Sequence, residues 1–170
     1  FLHALRHMGA NIELQNEINS LEPTADILVK TSDLKGISLN TALVANMIDE
    51  MPAFFIAAAL AEGITKIKDV KELRAKESDR LQAMSEALEA FGVKFHLNGD
   101  GIVINGLGKD GVFKASKINS HKDHRIAMAS SIASLRAEGE TTIIDCHNVN
   151  TSFPNFIDVC REVGINIAET

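Results

Sequence analysis

Apolar residues along this chain recur first with helical spacing and then with alternating spacing, and the change falls at a glycine. Three segments follow this course: "LHALRHMGANIEL", "LQAMSEALEAFGVKFHL" and "FIDVCREVGINIA". Their glycines, Gly9, Gly92 and Gly164, stand where a left-handed C-terminal helix cap is expected. Each segment therefore predicts an amphipathic helix followed by a half-buried strand.

A second kind of helix-strand segment alternates with the first and reveals an internal repeat. Its two examples, "AALAEGITKIKDV" and "ASLRAEGETTIIDC", place Gly63 and Gly139 at the caps, 76 residues apart. The predicted order helix, strand, strand, helix, strand thus occurs twice, and a third copy begins at Thr151. Such a period indicates internal duplication; chance similarity is the alternative interpretation.

The helices of the second kind lack a polar face. "PAFFIAAALA" is apolar on every side and "IAMASSIASL" is small and apolar, so both are expected to be buried all round. The first-kind helix near residue 81 carries one apolar stripe, formed by Leu81, Met84, Leu88 and Phe91. Because the alternating strands can expose one face to water, the pattern predicts an α/β fold with helices inside and sheets outside.

Composition narrows the possible function classes. A net charge of −6 without Trp or Tyr disfavours a nucleic-acid-binding surface. The longest apolar run, 51–61, has eleven residues, too few to span a bilayer, and no signal peptide is recognisable. Cys146 and Cys160 fit no metal or redox spacing, as expected in a reducing compartment. Because the chain starts at Phe1 without Met, inside a predicted helix, we expect it to be a piece of a longer protein.

Charged and hydroxyl side chains gather where the helices begin. Most are ordinary capping candidates: Asp49, Glu50, Ser78 or Asp79, Asp123, and Thr151 or Ser152. Pro52 also suits the first turn of its helix. These residues need no explanation beyond capping.

Two arginines do not fit the capping pattern. Arg80 and Arg125 both lie in first turns, where a cation opposes the helix dipole. An anion bound by helix N–H groups and guanidinium groups would account for both. The alternative is local pairing of Arg80 with Asp79 or Glu77, and of Arg125 with Asp123.

Rotation of the repeats about a common axis would bring one set of charged residues to a single face. The set is Asp49, Lys76, Glu77, Arg80, Asp123, His124 and Arg125. Its cations can hold an anionic substrate and its carboxylates can move protons. We therefore expect Lys76, Arg80 and Arg125 to line one surface depression.

Histidine spacing raises the question of a metal. His121-x-x-His124 and His3-x-x-x-His7 have spacings compatible with metal binding, but no Cys or acidic ligands support them. A glycine-rich phosphate loop of the Walker type is also missing. The sequence therefore predicts neither a metal nor a cofactor.

The chain resembles the 5-enolpyruvylshikimate-3-phosphate synthase (3-phosphoshikimate 1-carboxyvinyltransferase) family. The resemblance lies in four motifs, which follow one another along the chain as "IDEMP", "ELRAKESDR", "DHRIAMA" and "TSFP". The resemblance covers essentially the whole chain and roughly the C-terminal two-fifths of such an enzyme. It implies a fold of two domains, each with repeated βαβαββ units, buried parallel helices and outer sheets. Residues 1–170 would form most of one enolpyruvyl transferase domain, with the other domain absent.

The resemblance also implies an activity. The family is a transferase of the shikimate pathway, the route to aromatic amino acids, and the target of glyphosate. It moves the enolpyruvyl group of phosphoenolpyruvate to the 5-hydroxyl of shikimate 3-phosphate and releases phosphate. The expected partners are these two substrates and the missing domain, with no nucleic acid or membrane. The enzyme is expected to be cytoplasmic and, when full length, monomeric.

Residues of this chain that match the family's motifs are expected to have the same roles. Asp49 resembles the carboxylate that binds the shikimate hydroxyls and acts as base on the 5-hydroxyl, and Lys76 resembles a lysine contacting the same substrate. Glu77 resembles the residue that donates a proton to the methylene carbon of phosphoenolpyruvate and later retrieves one. Arg80 and Arg125 resemble the pair that binds its carboxylate.

Two further residues match the family, and one position differs from many of its members. Asp123 and His124 resemble supporting residues of the site. Thr151 stands where many members have lysine, so we do not predict it as a ligand. The rival interpretations are a UDP-N-acetylglucosamine enolpyruvyl transferase, which lacks the "KESDR" pattern, and a non-catalytic domain of the same fold. We expect the isolated chain to fold but not to catalyse.

Overall fold

The computed structural model describes residues 1–169 and contains two alternating kinds of helix. The α-helices are α1 Leu2–His7, α2 Thr41–Asn46, α3 Met51–Leu60, α4 Arg80–Ala90, α5 His124–Ala133, α6 Val149–Ser152 and α7 Phe156–Glu162. The strands are β1 Asn11–Ile18, β2 Thr24–Lys30, β3 Ile64–Ile67, β4 Lys94–Asn98, β5 Gly101–Asn105, β6 Lys117–Asn119 and β7 Thr142–Ile144. Short 3₁₀ helices are Ile48–Glu50, Lys71–Ala75 and Ser134–Arg136.

The internal repeat predicted from the sequence is present in the fold. The series α1, β1, β2, α3, β3 is followed by α4, β4, β5, α5, β7, with β6 inserted before α5. All five predicted cap glycines have positive φ: Gly9, Gly63, Gly92, Gly139 and Gly164. Gly9, Gly92 and Gly164 directly follow the C-caps of their helices, where a side chain in this conformation would be strained. The prediction that Gly63 and Gly139 are caps is wrong, because the helices before them already end two residues earlier, at Ala61 and Ala137 in extended conformation.

Three small sheets form the outer layer. β1 and β2 make an antiparallel hairpin, and β3 and β4 flank β5 in an antiparallel three-stranded sheet. β6 and β7 pair in parallel. Residues 35–38 add parallel bridges along β3, at Lys35–Glu62 and Ser38–Lys66. The three-stranded sheet packs against α3 and α4 and buries Ile102 and Ile104 of β5, as the alternation predicts. The prediction of half-buried strands is wrong for the β1–β2 hairpin, in which no residue is buried.

The buried core is built around α3 and α4. Phe54 and Phe55 of α3 are fully buried, and so are all four residues of the predicted α4 stripe. The prediction that both second-kind helices are buried on every side is wrong at Ala53 of α3 and at Ile132 of α5, which are exposed. That side of α3 faces a cleft between α3 and α5, where no other element within residues 1–169 covers it. Across these residues, no helix combines the length and the apolar character that a membrane span requires.

The third copy of the repeat differs from its prediction. Thr151 and Ser152 belong to the short α6, and α7 begins at Phe156 with Asn155 at its N-cap, so neither Thr151 nor Ser152 caps α7. The strand expected after Gly164 is not formed over residues 165–169. A strand is stabilised by the ladder it makes with a neighbour, and alternation alone does not supply that neighbour.

Candidate active site

Three helix starts meet at one place and bring the predicted charged residues together. Asp49 lies in the 3₁₀ turn that leads into α3, Lys76 and Glu77 lie in the loop before α4, and Asp123 caps α5. α3, α4 and α5 pack against one another. Because the three helices pack side by side, the residues that precede their first turns come close together.

Arg80 is the centre of this cluster. Its Nε donates to Asp123 Oδ2 at 2.8 Å, its Nη1 to Asp49 Oδ1 at 2.8 Å, and its Nη2 to Glu77 Oε2 at 2.5 Å. The Arg80 side chain is 1% exposed. The prediction that Arg80 lines a surface depression beside Lys76 and Arg125 is therefore wrong. A guanidinium has donors in a planar fork, and three carboxylates around that fork enclose it.

Asp123 joins the two motifs of the site. It is fully buried, and its Oδ2 accepts from Arg80 and, at 3.0 Å, from Ser78 Oγ. Its Oδ1 accepts from the backbone N–H of Arg125 at 2.9 Å, which is the predicted N-cap of α5. The contact of Ser78 was missed by the sequence analysis, which considered this residue only as a cap. Nothing in the local sequence reveals it, because its partner is 45 residues away.

Asp49 lies between three cations. Besides Arg80, its carboxylate is 3.6 Å from Lys76 Nζ and 3.8 Å from Arg125 Nη2. Arg125 Nη1 also donates to the backbone oxygen of Asp49 at 2.9 Å and lies 3.6 Å from Glu50. Partial burial acts to raise the pKa of Asp49, but the Arg80 hydrogen bond and the charges of Arg125 and Lys76 outweigh it. The pKa of Asp49 is therefore below its usual value, so this carboxyl stays ionised.

Lys76 is held from a second side. Its Nζ lies 2.9 Å from Glu72 Oε1, one helical turn earlier. The hydrogen bond to Glu72, reinforced by the charge of Asp49, raises the pKa of Lys76. The lysine is thus kept positively charged beside Asp49.

The depressed pKa of Asp49 predicts a specific pH dependence of stability. A carboxyl whose folded pKa is lowered stabilises the fold above its usual pKa of 3.8, and this contribution is lost as the pH falls through the folded value. The difference in unfolding free energy between the unchanged chain and Asp49→Asn should therefore shrink from about pH 6 to about pH 3. Urea unfolding at both pH values measures it. A difference that stays constant, or grows toward acid, would contradict the assignment.

The local-pairing alternative is partly realised. Arg80 does contact Glu77, as that alternative expected, but Asp79 caps α4 and pairs with Arg74 at 2.8 Å. Arg125 meets Asp123 only through its backbone N–H, and its guanidinium turns to Asp49. The two arginines therefore share one carboxylate, Asp49, and do not form two separate local pairs.

Beside the charged cluster lies a cleft of about 220 Å³ between α3 and α5. Asp49 and Arg125 stand at its charged end, and its wall includes Ala53, Ile56 and Met128. This wall was not predicted from the sequence, because the apolar pattern indicates that both helices are covered on all sides. An anion at Arg125 would thus have water on one side and an apolar surface on the other.

The remaining predicted residues contribute less to the cluster. His124 is the partly buried first residue of α5, and Thr151 is exposed in α6. His121 Nε2 lies 2.7 Å from Glu86 Oε2 of α4, within hydrogen-bond distance, so its side chain is directed to α4. Within residues 1–169, no group of three or more His, Cys, Asp or Glu side chains has the arrangement of a metal site.

Comparison with known proteins gives consistent matches along the chain. The family model described as EPSP synthase (3-phosphoshikimate 1-carboxyvinyltransferase) matches residues 1–160. Curated relatives named 3-phosphoshikimate 1-carboxyvinyltransferase include one from Hydrogenovibrio crunogenus, 50% identical over 166 residues, and one from Salinibacter ruber, 45% identical over 166 residues. These alignments cover 96% and 97% of this chain but only 36% and 38% of the relatives. The chain thus spans little more than a third of their length.

Solved structures agree in fold. An EPSP synthase from Acinetobacter baumannii has a TM-score of 0.94 at 43% sequence identity, covering 98% of this chain and 39% of that one. The enolpyruvyl transferase NikO from Streptomyces tendae has a TM-score of 0.73 at 19% identity. The second likeness shows a shared fold alone, so the α/β architecture extends beyond close sequence similarity.

Proposed function

The chain belongs to the EPSP synthase (3-phosphoshikimate 1-carboxyvinyltransferase) family, and we propose that it is part of an enzyme that transfers the enolpyruvyl group of phosphoenolpyruvate to the 5-hydroxyl of shikimate 3-phosphate. The observation that carries the proposal is the cluster around Arg80, which holds Asp49, Glu77 and Asp123 on one guanidinium. It unites proton-transfer groups with cations suited to anionic substrates.

The cations have the binding role in this proposal. Arg125 and Arg80 bind the carboxylate of phosphoenolpyruvate, and Lys76 contacts shikimate 3-phosphate. Each substrate carries several negative charges, so their approach is opposed unless cations offset the repulsion. Arg125 is 33% exposed and Lys76 22% exposed, which makes both accessible from solvent.

The two carboxyl groups have complementary roles in proton transfer. Asp49 is ionised and accepts the proton of the 5-hydroxyl, whose oxygen forms a bond to C2 of phosphoenolpyruvate. Glu77, in its protonated form, donates its proton to the methylene carbon, so the C2–C3 double bond is consumed. In the second half, the Glu77 carboxylate removes a proton from the new methyl group while the C–O bond to phosphate breaks. The double bond is restored, and the departing phosphate takes up the proton that Asp49 accepted, so both carboxyl groups return to their starting states.

We propose that the active site is completed by a second domain. Residues 1–170 would form most of one enolpyruvyl transferase domain, and the opposite wall would come from the part of the relatives that this chain does not match. Closing two walls on the substrates excludes water and strengthens the interactions of the charged groups. We infer further that the enzyme works as a monomer in the cytoplasm, where free thiols such as Cys146 and Cys160 persist.

The 170-residue chain by itself is expected to release no phosphate from phosphoenolpyruvate plus shikimate 3-phosphate, because half of the proposed site is absent. The full-length protein should release phosphate only when both substrates are present, and should be inactive with UDP-N-acetylglucosamine. A phosphate-release assay with product identification by NMR tests both. Turnover with the sugar nucleotide would favour the rival transferase, and a full-length protein without turnover would favour a non-catalytic domain. Robust turnover by the isolated chain would refute the two-domain proposal.

A further inference from the structure

The guanidinium that the proposed function assigns to substrate binding is already occupied by the protein itself. Each nitrogen of Arg80 donates to a carboxylate, from Asp123, Asp49 or Glu77, at no more than 2.8 Å. With 1% of its side chain exposed, Arg80 offers no open donor edge. A substrate carboxylate therefore reaches Arg80 only if one of the three carboxylates moves away.

Asp123 is not the one that moves. It is fully buried, caps α5 through the backbone N–H of Arg125, and accepts from Ser78 as well as from Arg80. Displacing it would uncap a helix and leave a buried charge without its partner, and each of these changes is strongly unfavourable.

Asp49 is also held firmly. Lys76 and Arg125 lie within 3.8 Å of its carboxylate in addition to Arg80, and Arg125 donates to its backbone oxygen. Asp49 has a short side chain on the 3₁₀ turn that leads directly into the buried α3. Moving it would break several charged contacts at once.

Glu77 differs from both neighbours. Its side chain is 50% exposed, and within residues 1–169 its ion pairing is with Arg80 alone. It is the longest of the three carboxylate side chains and lies in the loop between the 3₁₀ helix and α4, outside both. Because it has more rotatable bonds and fewer contacts, Glu77 leaves at the lowest cost.

We propose that a substrate carboxylate binds Arg80 by exchanging with Glu77, which covers the guanidinium Nη2 when the site is empty. This inference rests on the proposed function and adds to it the step by which the site opens. The exchange would also release the Glu77 side chain from Arg80 at the moment when the substrate arrives.

The exchange is tested by comparing two charge-removing variants of the full-length protein. Glu77→Gln removes the negative charge that competes for Arg80, whereas the control Glu72→Gln removes one negative charge from the same segment, where it faces Lys76. Dissociation constants are measured by calorimetry for phosphoenolpyruvate without the second substrate, and for pyruvate as a simple carboxylate. We expect Glu77→Gln to bind both probes about 3- to 10-fold more tightly, and Glu72→Gln to change affinity by less than about 2-fold.

Two outcomes would overturn the exchange: an affinity in Glu77→Gln that is unchanged or weaker, or an equal tightening in Glu72→Gln, which would indicate a general charge effect. The proposed function is judged separately, by turnover of the unchanged protein with both substrates. If that turnover were absent, the proposed reaction would fail, whereas the pyruvate comparison would still report on the exchange at Arg80.

Discussion

In the proposed reaction, turnover of the full-length protein should fall by about 10²- to 10⁴-fold when Glu77 is replaced by glutamine. Glutamine preserves the size of the side chain and its reach toward Arg80 but cannot donate a proton to carbon or retrieve one. Affinity should change much less than turnover, and in the direction of tighter binding, since a carboxylate that competes for Arg80 is gone. Steady-state kinetics with phosphoenolpyruvate and shikimate 3-phosphate separate kcat from KM.

Glu72→Gln is the matched control for this prediction. Glu72 is an exposed carboxylate that pairs with Lys76, in the same segment but outside the proposed proton-transfer path. Its variant should keep turnover within about 3-fold, the scale of a surface ion pair. Near-normal turnover of Glu77→Gln, or a loss confined to KM, would exclude the role of Glu77 in moving protons.

Asp123→Asn should destabilise the fold by roughly 3 kcal/mol, because it removes the buried negative charge that faces Arg80 Nε. Asparagine is also a good N-cap, so the start of α5 should be retained and the loss should report mainly on the charge. Urea unfolding of the variant and the unchanged chain under the same conditions measures the difference.

Asp79→Asn is the comparison for Asp123→Asn. Asp79 is likewise an aspartate at an N-cap, in α4, but it is 39% exposed and pairs with the exposed Arg74. An exposed pair contributes little, so this variant should lose less than about 1 kcal/mol. Equal losses of unfolding free energy in the two variants would show that burial of the Asp123–Arg80 pair does not increase its contribution to stability.

Much of the fold is predictable because it depends on close neighbours in the chain. The glycine caps, the apolar stripe of α4, and the capping of α5 by Asp123 each depend on residues within a few positions. The end of the chain shows the limit of this reasoning. Alternation after Gly164 predicts a strand, yet residues 165–169 form none, because a strand also needs a hydrogen-bonded neighbour.

Membership of the candidate site was predictable, but its internal pairing was not. Rotation of the repeats predicted that seven charged residues would gather, and within residues 1–169 the structure joins all of them except His124 by ion pairs. Arg80 was expected at a surface depression, whereas its side chain is buried under carboxylates. A charge near a helix start has several candidate partners, and spacing along the chain does not rank them.

The sequence by itself determined the repeat and most of the helix caps, because hydrogen bonding and periodicity act over a few residues. The repeat in turn indicated that the helix starts, with their charged residues, would meet. The tertiary structure alone decided which carboxylate faces which nitrogen of Arg80. Those partners lie 3, 31 and 43 residues away, on separate elements. The tertiary structure also decided that Asp123 is buried and that Glu77 remains half exposed. The same packing leaves Ala53 uncovered. Burial makes an unpaired charge very costly, so the packing of α3, α4 and α5 selects the pairs that local sequence leaves open.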